Sequence, residues 1–303
     1  MEQRFEFTCE GDRLVGILHW PQGAPHAALV TTGPLTSVKE QAAGAYARAL
    51  AERGYAALAF DHRTFGESEG RPRQFENPAA KVADIRSAVA ALKANPSTRA
   101  LPLAAVGVCT GAGYMARAVA EEKNFAAFAG VAGYYAEATE ASLKSAAARV
   151  ERGRSAERAW RETGVAEMIA AVAPDGGDVA MPLREAYEYY GTPRGAVPNY
   201  VNAFAVQSLA YTTSFDAIGA AQAIDVPTLI IHSEKALAPT LARKFVAQMH
   251  APVETAWLAS SGQIDFYDDP VLIGHAADLI ATFFSRVMRE LPTATAAHLV
   301  DVT

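Results

Sequence analysis

The sequence predicts an α/β protein with a mostly parallel, doubly wound sheet interrupted once by a helical insertion. Three observations predict it. Short apolar runs alternate with helix-like stretches through residues 27–131 and again through 227–289. The alternation breaks from Tyr134 to about Phe215, where Ala, Arg, Glu and Tyr dominate. Finally, Gly107-Val108-Cys109-Thr110-Gly111 sits between an apolar run (103–106) and a helix-like stretch (112–122). Strand–helix alternation is the signature of parallel sheets covered on both faces.

In chain order, residues 4–9 and 14–20 alternate around Glu10-Gly11-Asp12-Arg13 and read as an opening β-hairpin. Residues 27–32 form a buried-strand run, followed by Gly33-Pro34-Leu35-Thr36 and a helix expected over 37–53 with Gly54 as its stop. A strand over 55–61 leads through a long polar loop to a helix near 79–92. After the central turn comes a strand over 126–131. Residues 134–215 read as several helices with Gly/Pro-rich joints at Pro174-Asp175-Gly176-Gly177 and Gly191-Thr192-Pro193. Strand and helix resume at 227–232, 239–249 and 253–258, with a last helix over 270–289. The expected organisation is therefore a core of 1–133 and 216–292, a helical cap of 134–215, and a loosely ordered tail of 293–303. A cap so placed would cover the sheet's C-terminal edge, where open α/β sheets bind ligands.

Composition narrows the function classes. The 303-residue chain is half hydrophobic and carries a net charge of −6 with dispersed basic residues, which argues against nucleic acid or an anionic membrane as partner. Cys9 and Cys109 make no disulfide framework and suit a reducing cytoplasm. The N-terminus does not read as a signal sequence, and no apolar run reads as long enough to span a membrane. No metal-ligand cluster or dinucleotide fingerprint is present, so no cofactor is expected.

The central turn carries the chemistry. Its two glycines permit a strained strand-to-helix turn that lifts the middle side chain above the sheet edge. That side chain is Cys109, and a thiol at a helix N-terminus is expected to be biased toward thiolate. The backbone N–H of Thr110, with that of Leu35 or Thr36, could form an oxyanion hole.

With these motifs in view, the chain resembles the α/β-hydrolases, in particular the dienelactone-hydrolase-like bacterial group. The matching stretches are Val38-Lys39-Glu40-Gln41, residues 58–63 with Gly66-Glu67-Ser68-Glu69-Gly70, the turn around Cys109, and residues 263–268. The resemblance implies a nucleophile–acid–histidine order. It also points to where this chain departs: the usual acid position, in His232-Ser233-Glu234-Lys235-Ala236, holds Ala236, and the usual histidine position holds Gln263. Glutamine cannot take a proton at neutral pH. Glu234 and His232 are the nearby groups that could substitute as acid or base, and Tyr134 and Tyr135 follow a strand at the ligand-binding edge. Expected partners are a small-molecule substrate, an ester, lactone, thioester or polyketide-like carbonyl compound, and, as the resemblance implies, a second copy in a homodimer. Three functions stay open: a cysteine hydrolase or acyltransferase with a non-standard base, a non-hydrolytic cofactor-free catalyst, and a binder without turnover.

Overall fold

The computed structural model describes residues 1–290, so the expectation for the 293–303 tail lies outside the described residues. An opening hairpin of β1 (Glu2–Cys9) and β2 (Asp12–His19) leads to β3 (Ala28–Thr32), α1 (Ala42–Ala51), β4 (Ala56–Phe60) and α2 (Pro78–Ala94). The centre follows as β5 (Leu103–Val108), α3 (Thr110–Glu121) and β6 (Phe125–Val131). The chain then leaves the main sheet for α4 (Glu140–Ser145), α5 (Ala147–Thr163), β7 (Met168–Ile169), α6 (Arg184–Tyr190), β8 (Phe204–Ala205) and α7 (Ser208–Thr213). It returns through β9 (Thr228–His232), α8 (Pro239–Ala247), β10 (Val253–Trp257), α9 (Asp265–Asp268) and α10 (Pro270–Glu290).

The main sheet has eight strands in the order β1-β2-β4-β3-β5-β6-β9-β10. Pairing is antiparallel for β1–β2 and β2–β4 and parallel from β4 onward. The chain winds outward in opposite directions from β3 and from β5, so the sheet's switch point lies between these two neighbours, and ligand crevices form there.

Alternate strand residues serve two cores. Leu29, Ala57 and Val106 pack with α1 and α10 on one face, while Val30, Leu58 and Ala105 pack with α2, α3 and α8 on the other. Both faces are sealed, which is why β3, β4 and β5 are buried at every position and read as continuous apolar runs. The inserted segment brings its own small cluster of Ala156, Phe204, Val206 and Leu209.

Three local readings differ from the sequence expectation. The first helix does not start at 37. Residues 34–41 are held instead as a loop, because Asp61 draws the Lys39 backbone and side chain and Gln41 folds back on the Val38 N–H. The insertion contains a two-stranded ribbon, β7–β8, as well as helices. And α10, at 21 residues, is long and apolar enough by length and composition to cross a membrane. Its apolar residues, among them Leu272, Ile280 and Phe284, pack against α1 and the sheet.

Close packing at the switch point generates a prediction. A Cβ on Gly111 would stand 2.4 Å from the Gly33 carbonyl oxygen and 2.8 Å from that of Thr32, and backbone at the end of β3 cannot yield as a side chain does. Gly111→Ala is expected to destabilise the fold by about 1–3 kcal/mol, read as a lowered midpoint in urea unfolding.

Candidate active site

The switch point delivers Cys109 to the base of a cavity of about 570 Å³ between the sheet edge and the inserted segment. Cys109 lies between β5 and α3 with φ 55° and ψ −126°, a conformation unfavourable for a side-chain-bearing residue. Three backbone bonds hold it there. The Cys109 N–H donates to Val131 O (3.0 Å), and its carbonyl accepts from the N–H groups of Ala112 (3.0 Å) and Tyr134 (2.9 Å). Flanking glycines allow the crowding: a Cβ on Gly107 would meet Ala112 Cα at 2.4 Å. The strand–turn–helix geometry of a nucleophile elbow is therefore present with sulfur as the projecting atom.

Gln263 lines the same cavity, beside Cys109. Its side chain is fully engaged: Oε1 accepts from the Leu237 N–H (2.8 Å), and Nε2 donates to Ala132 O (2.9 Å) and Tyr267 Oη (3.2 Å). The Leu237 N–H thus anchors the Gln263 amide from the backbone next to Ala236. Glu185 completes the support by accepting the Gln263 N–H at 3.0 Å.

Tyr267 is the functional neighbour that sequence reasoning missed. Its hydroxyl interacts with both the Cys109 thiol and the Gln263 amide, and burial raises its pKa well above the phenol range, so it serves as a neutral donor. The signal for it was available, since Tyr267 stands one helical turn beyond Gln263.

The expected thiolate bias does not hold. Burial pushes the Cys109 thiol up, and the interactions with Tyr267 and Thr110 that favour the anion are the lesser effects. Its sulfur lies 3.7 Å from Thr110 Oγ1. In a site this dry, removing the thiolate from water outweighs the pull of the helix terminus.

The other candidate residues separate into those the cavity contains and those it does not. Leu35, Thr110 and Tyr134 line it. Thr36 does not: at φ 61° its N–H donates to Glu76 Oε2 (3.1 Å). Of the two loop residues, Leu35 is therefore the one that lines the cavity together with Thr110. Tyr135 is buried in the core, stacked on Phe245 at 4.0 Å between ring centroids. His232 is also buried, its ring nitrogens near the carbonyls of Ser233 (3.0 Å) and Gly133 (3.3 Å), and burial lowers its pKa. Glu234 is exposed and pairs with Arg243. Neither His232 nor Glu234 lines the cavity, and among the described residues no histidine does. The constraint is positional: β9 ends with His232 pointed into the layer between sheet and backbone, and Glu234 two residues on turns to solvent.

Beneath the loop after β3 lies a buried hub. Glu76 accepts from Thr36 N–H, Tyr114 Oη (2.8 Å) and Lys81 Nζ (2.6 Å), while its own N–H donates to Ser208 Oγ of α7 (2.9 Å). Lys81 also sits over the Phe65 ring at 4.5 Å. The hub ties the loop after β3 and, through Tyr114, α3 to the Glu76 carboxylate, and the inserted segment to the Glu76 backbone N–H.

An eight-stranded, mostly parallel sheet with a strained elbow at its switch point defines an α/β-hydrolase. Residues 39–260 match the family described as serine aminopeptidase, S33, and the chain belongs to that family, as an α/β-hydrolase-fold, hydrolase-like enzyme. The uncharacterized protein YcjY of Escherichia coli is 29% identical over 305 residues, covering 95% of this chain and 100% of that protein. The crystal structure of hypothetical protein PA2218 from Pseudomonas aeruginosa superposes with a TM-score of 0.82 at 27% identity, covering 94% of this chain and 93% of that one. The thiohydrolase aneE of Aspergillus aculeatus is 34% identical over 103 residues, 34% of this chain and 32% of its own length.

The thiol's raised pKa sets a pH dependence. Only the thiolate alkylates, so modification of Cys109 by iodoacetamide is expected to be slow at neutral pH. It should climb as pH rises beyond the ordinary thiol value of about 8.5. Tyr267→Phe, which removes a donor to the sulfur, is expected to move that profile further alkaline. Peptide mass mapping of Cys109 across pH 7–11 reads both.

Proposed function

We propose that this enzyme is an acyl-transfer catalyst in which Cys109 accepts an acyl group from a thioester or activated ester and passes it slowly, or not at all, to water. The observation that supports this reading is the setting of Cys109: a thiol at an elbow, beside the Leu35 and Thr110 backbone at the cavity base, with Gln263 and Tyr267 where an imidazole would stand. The aneE likeness, to a protein named a thiohydrolase, favours a thioester over an oxygen ester.

Thioester exchange suits a site without a base. The substrate carbonyl carbon bonds to Cys109 sulfur, its bond to the leaving sulfur breaks, and the thiol proton travels to that leaving thiolate. No net proton leaves the pair. The developing negative charge on oxygen is stabilised by the Leu35 and Thr110 N–H groups, and the neutral Tyr267 phenol donates to sulfur. Hydrolysis of the acyl-enzyme is different, because water must lose a proton as it attacks. A general base usually supplies roughly 10²–10⁴-fold to that step, and the Gln263 amide supplies none. The acyl group therefore persists long enough for a better nucleophile, on the substrate or on a second molecule, to take it.

A non-covalent reading is favoured by one observation, the raised thiol pKa. There the same donors polarise a carbonyl for enolate chemistry and Cys109 only shapes the pocket.

Acetyl-N-acetylcysteamine and p-nitrophenyl acetate distinguish these. The expected result is one acetyl group on Cys109 by intact mass, a stoichiometric burst, and slow steady turnover. Cys109→Ala should lose the burst. Gln263→His should raise steady turnover by roughly 10-fold, short of the full general-base factor because Ala236 gives the new imidazole no carboxylate. Adding Ala236→Asp should raise it further. Fast wild-type turnover without an acyl-enzyme, or no acylation by either compound, would overturn the proposal.

A further inference from the structure

The cavity's charged lining is unevenly satisfied. Three ionic side chains reach it: Glu137, Glu185 and Arg149. Glu137 is paired with Lys244, which comes from α8. Glu185 is engaged in the wall, accepting the Gln263 N–H and crowding Gly262, where a Cβ would meet its Oε2 at 2.4 Å. Arg149 differs. It is exposed on α5, and among the described residues no carboxylate lies within salt-bridge distance of it. Three other arginines of that helix are matched, Arg152 with Asp178 (2.6 Å) and Glu167 (3.1 Å), Arg158 with Glu151, and Arg161 with Glu157, while Arg154, also without a carboxylate in salt-bridge distance, does not line the cavity.

The surroundings sharpen the contrast. The inserted segment that carries Arg149 also lends the hydroxyl-bearing Ser142, Ser145 and Thr213 to the lining. Close to Cys109 stand the aromatic Tyr134, Tyr190 and Tyr267, and the apolar Leu35 and Met181 line the same cavity. Partial burial and the like charge of Arg152 both pull the Arg149 pKa below the ordinary guanidinium value, Asp178 offsetting them only in part. A guanidinium in that position lacks a counter-charge, and a ligand anion would gain a charge-assisted, potentially bidentate contact at no cost in broken protein ion pairs.

We propose that Arg149 anchors an anionic group, a carboxylate or a phosphate, on the outer end of the molecule whose apolar part fills the cavity toward Cys109. This names the substrate class as amphipathic and acidic. It rests on the reading of the cavity as the substrate site, but not on the acyl step at the thiol. The anion has two possible sources: a terminal carboxylate on the acyl chain, or a phosphate on the thiol that carries it.

Non-covalent binding tests the idea with the intact protein. Titration calorimetry in low salt compares decanoate with 1-decanol, and 4′-phosphopantetheine with pantetheine, on wild type, Arg149→Met and Arg149→Lys. The expected result is at least tenfold tighter binding of one anionic ligand than of its neutral partner. Arg149→Met should erase that preference without changing affinity for the neutral ligand, and Arg149→Lys should keep part of it. The pair that shows the preference identifies the source of the anion. Equal affinities within both pairs in wild type, or a preference that survives Arg149→Met, would overturn the proposal. Because neither pair acylates Cys109, failure of acylation in the thioester assay sinks the transfer reading alone, and the absence of an anion preference in wild type sinks this one alone.

Discussion

The strained turn at Cys109 is the constraint on which the site depends. A non-glycine residue at φ 55° costs of order 1–3 kcal/mol and persists only where its surroundings leave no alternative. Here the surroundings are backbone: Val131 O takes the Cys109 N–H, and the Cys109 carbonyl holds Ala112 and Tyr134. These bonds fix β5, β6 and α3 around one residue. Gly107 and Gly111 permit the approach, and Thr32 Oγ1 reaches across to the Gly111 carbonyl at 3.0 Å. The sulfur's direction, the Thr110 N–H and the position of Tyr134 all follow from that geometry. The turn is thus specified by packing of main chain against main chain, which tolerates sulfur or oxygen at its tip equally.

What the tip does is decided by the environment. Burial and helix terminus oppose each other at the thiol, and burial dominates because the cavity base is lined by apolar and aromatic groups. The same dryness keeps the Tyr267 phenol neutral. Gln263 then completes a network in which each polar atom has a partner and none can accept a proton. Cys109, Gln263 and Tyr267 are thus held together at one cavity wall by hydrogen bonds in which no imidazole takes part. A network so satisfied is rigid, since shifting the amide would leave the Leu237 N–H and the Ala132 carbonyl without partners in a buried site.

Much of this was legible in the sequence, and the pattern of what was not is physical. The mostly parallel, doubly wound sheet and the elbow followed from strand–helix alternation and glycine spacing, because both leave their mark in short stretches of the sequence. The placement of Gln263 beside Cys109 could be read from the Gly-Gln-Ile-Asp-Phe-Tyr segment. By contrast, Glu234 and His232 were attractive because of their proximity in sequence to β9, yet the turn after that strand sends one to solvent and the other into the core. The choice between Leu35 and Thr36 depended on Glu76, some 40 positions later in the chain. Thiol ionisation depended on how completely the insertion shuts off water, a property of assembled surfaces that composition does not encode.

The Glu76 hub carries a mechanical consequence. One carboxylate residue joins the loop after β3 to α7 of the inserted segment, and Gln41 and Glu40 add ties to Gly195 and Asn199. The lid of this site is therefore laced to its floor rather than hinged above it. Detaching it would strain the loop after β3 through the same residue. The amide hydrogen of Thr36, locked on Glu76, becomes a built-in gauge: its exchange with solvent keeps time with the loosening of the lid.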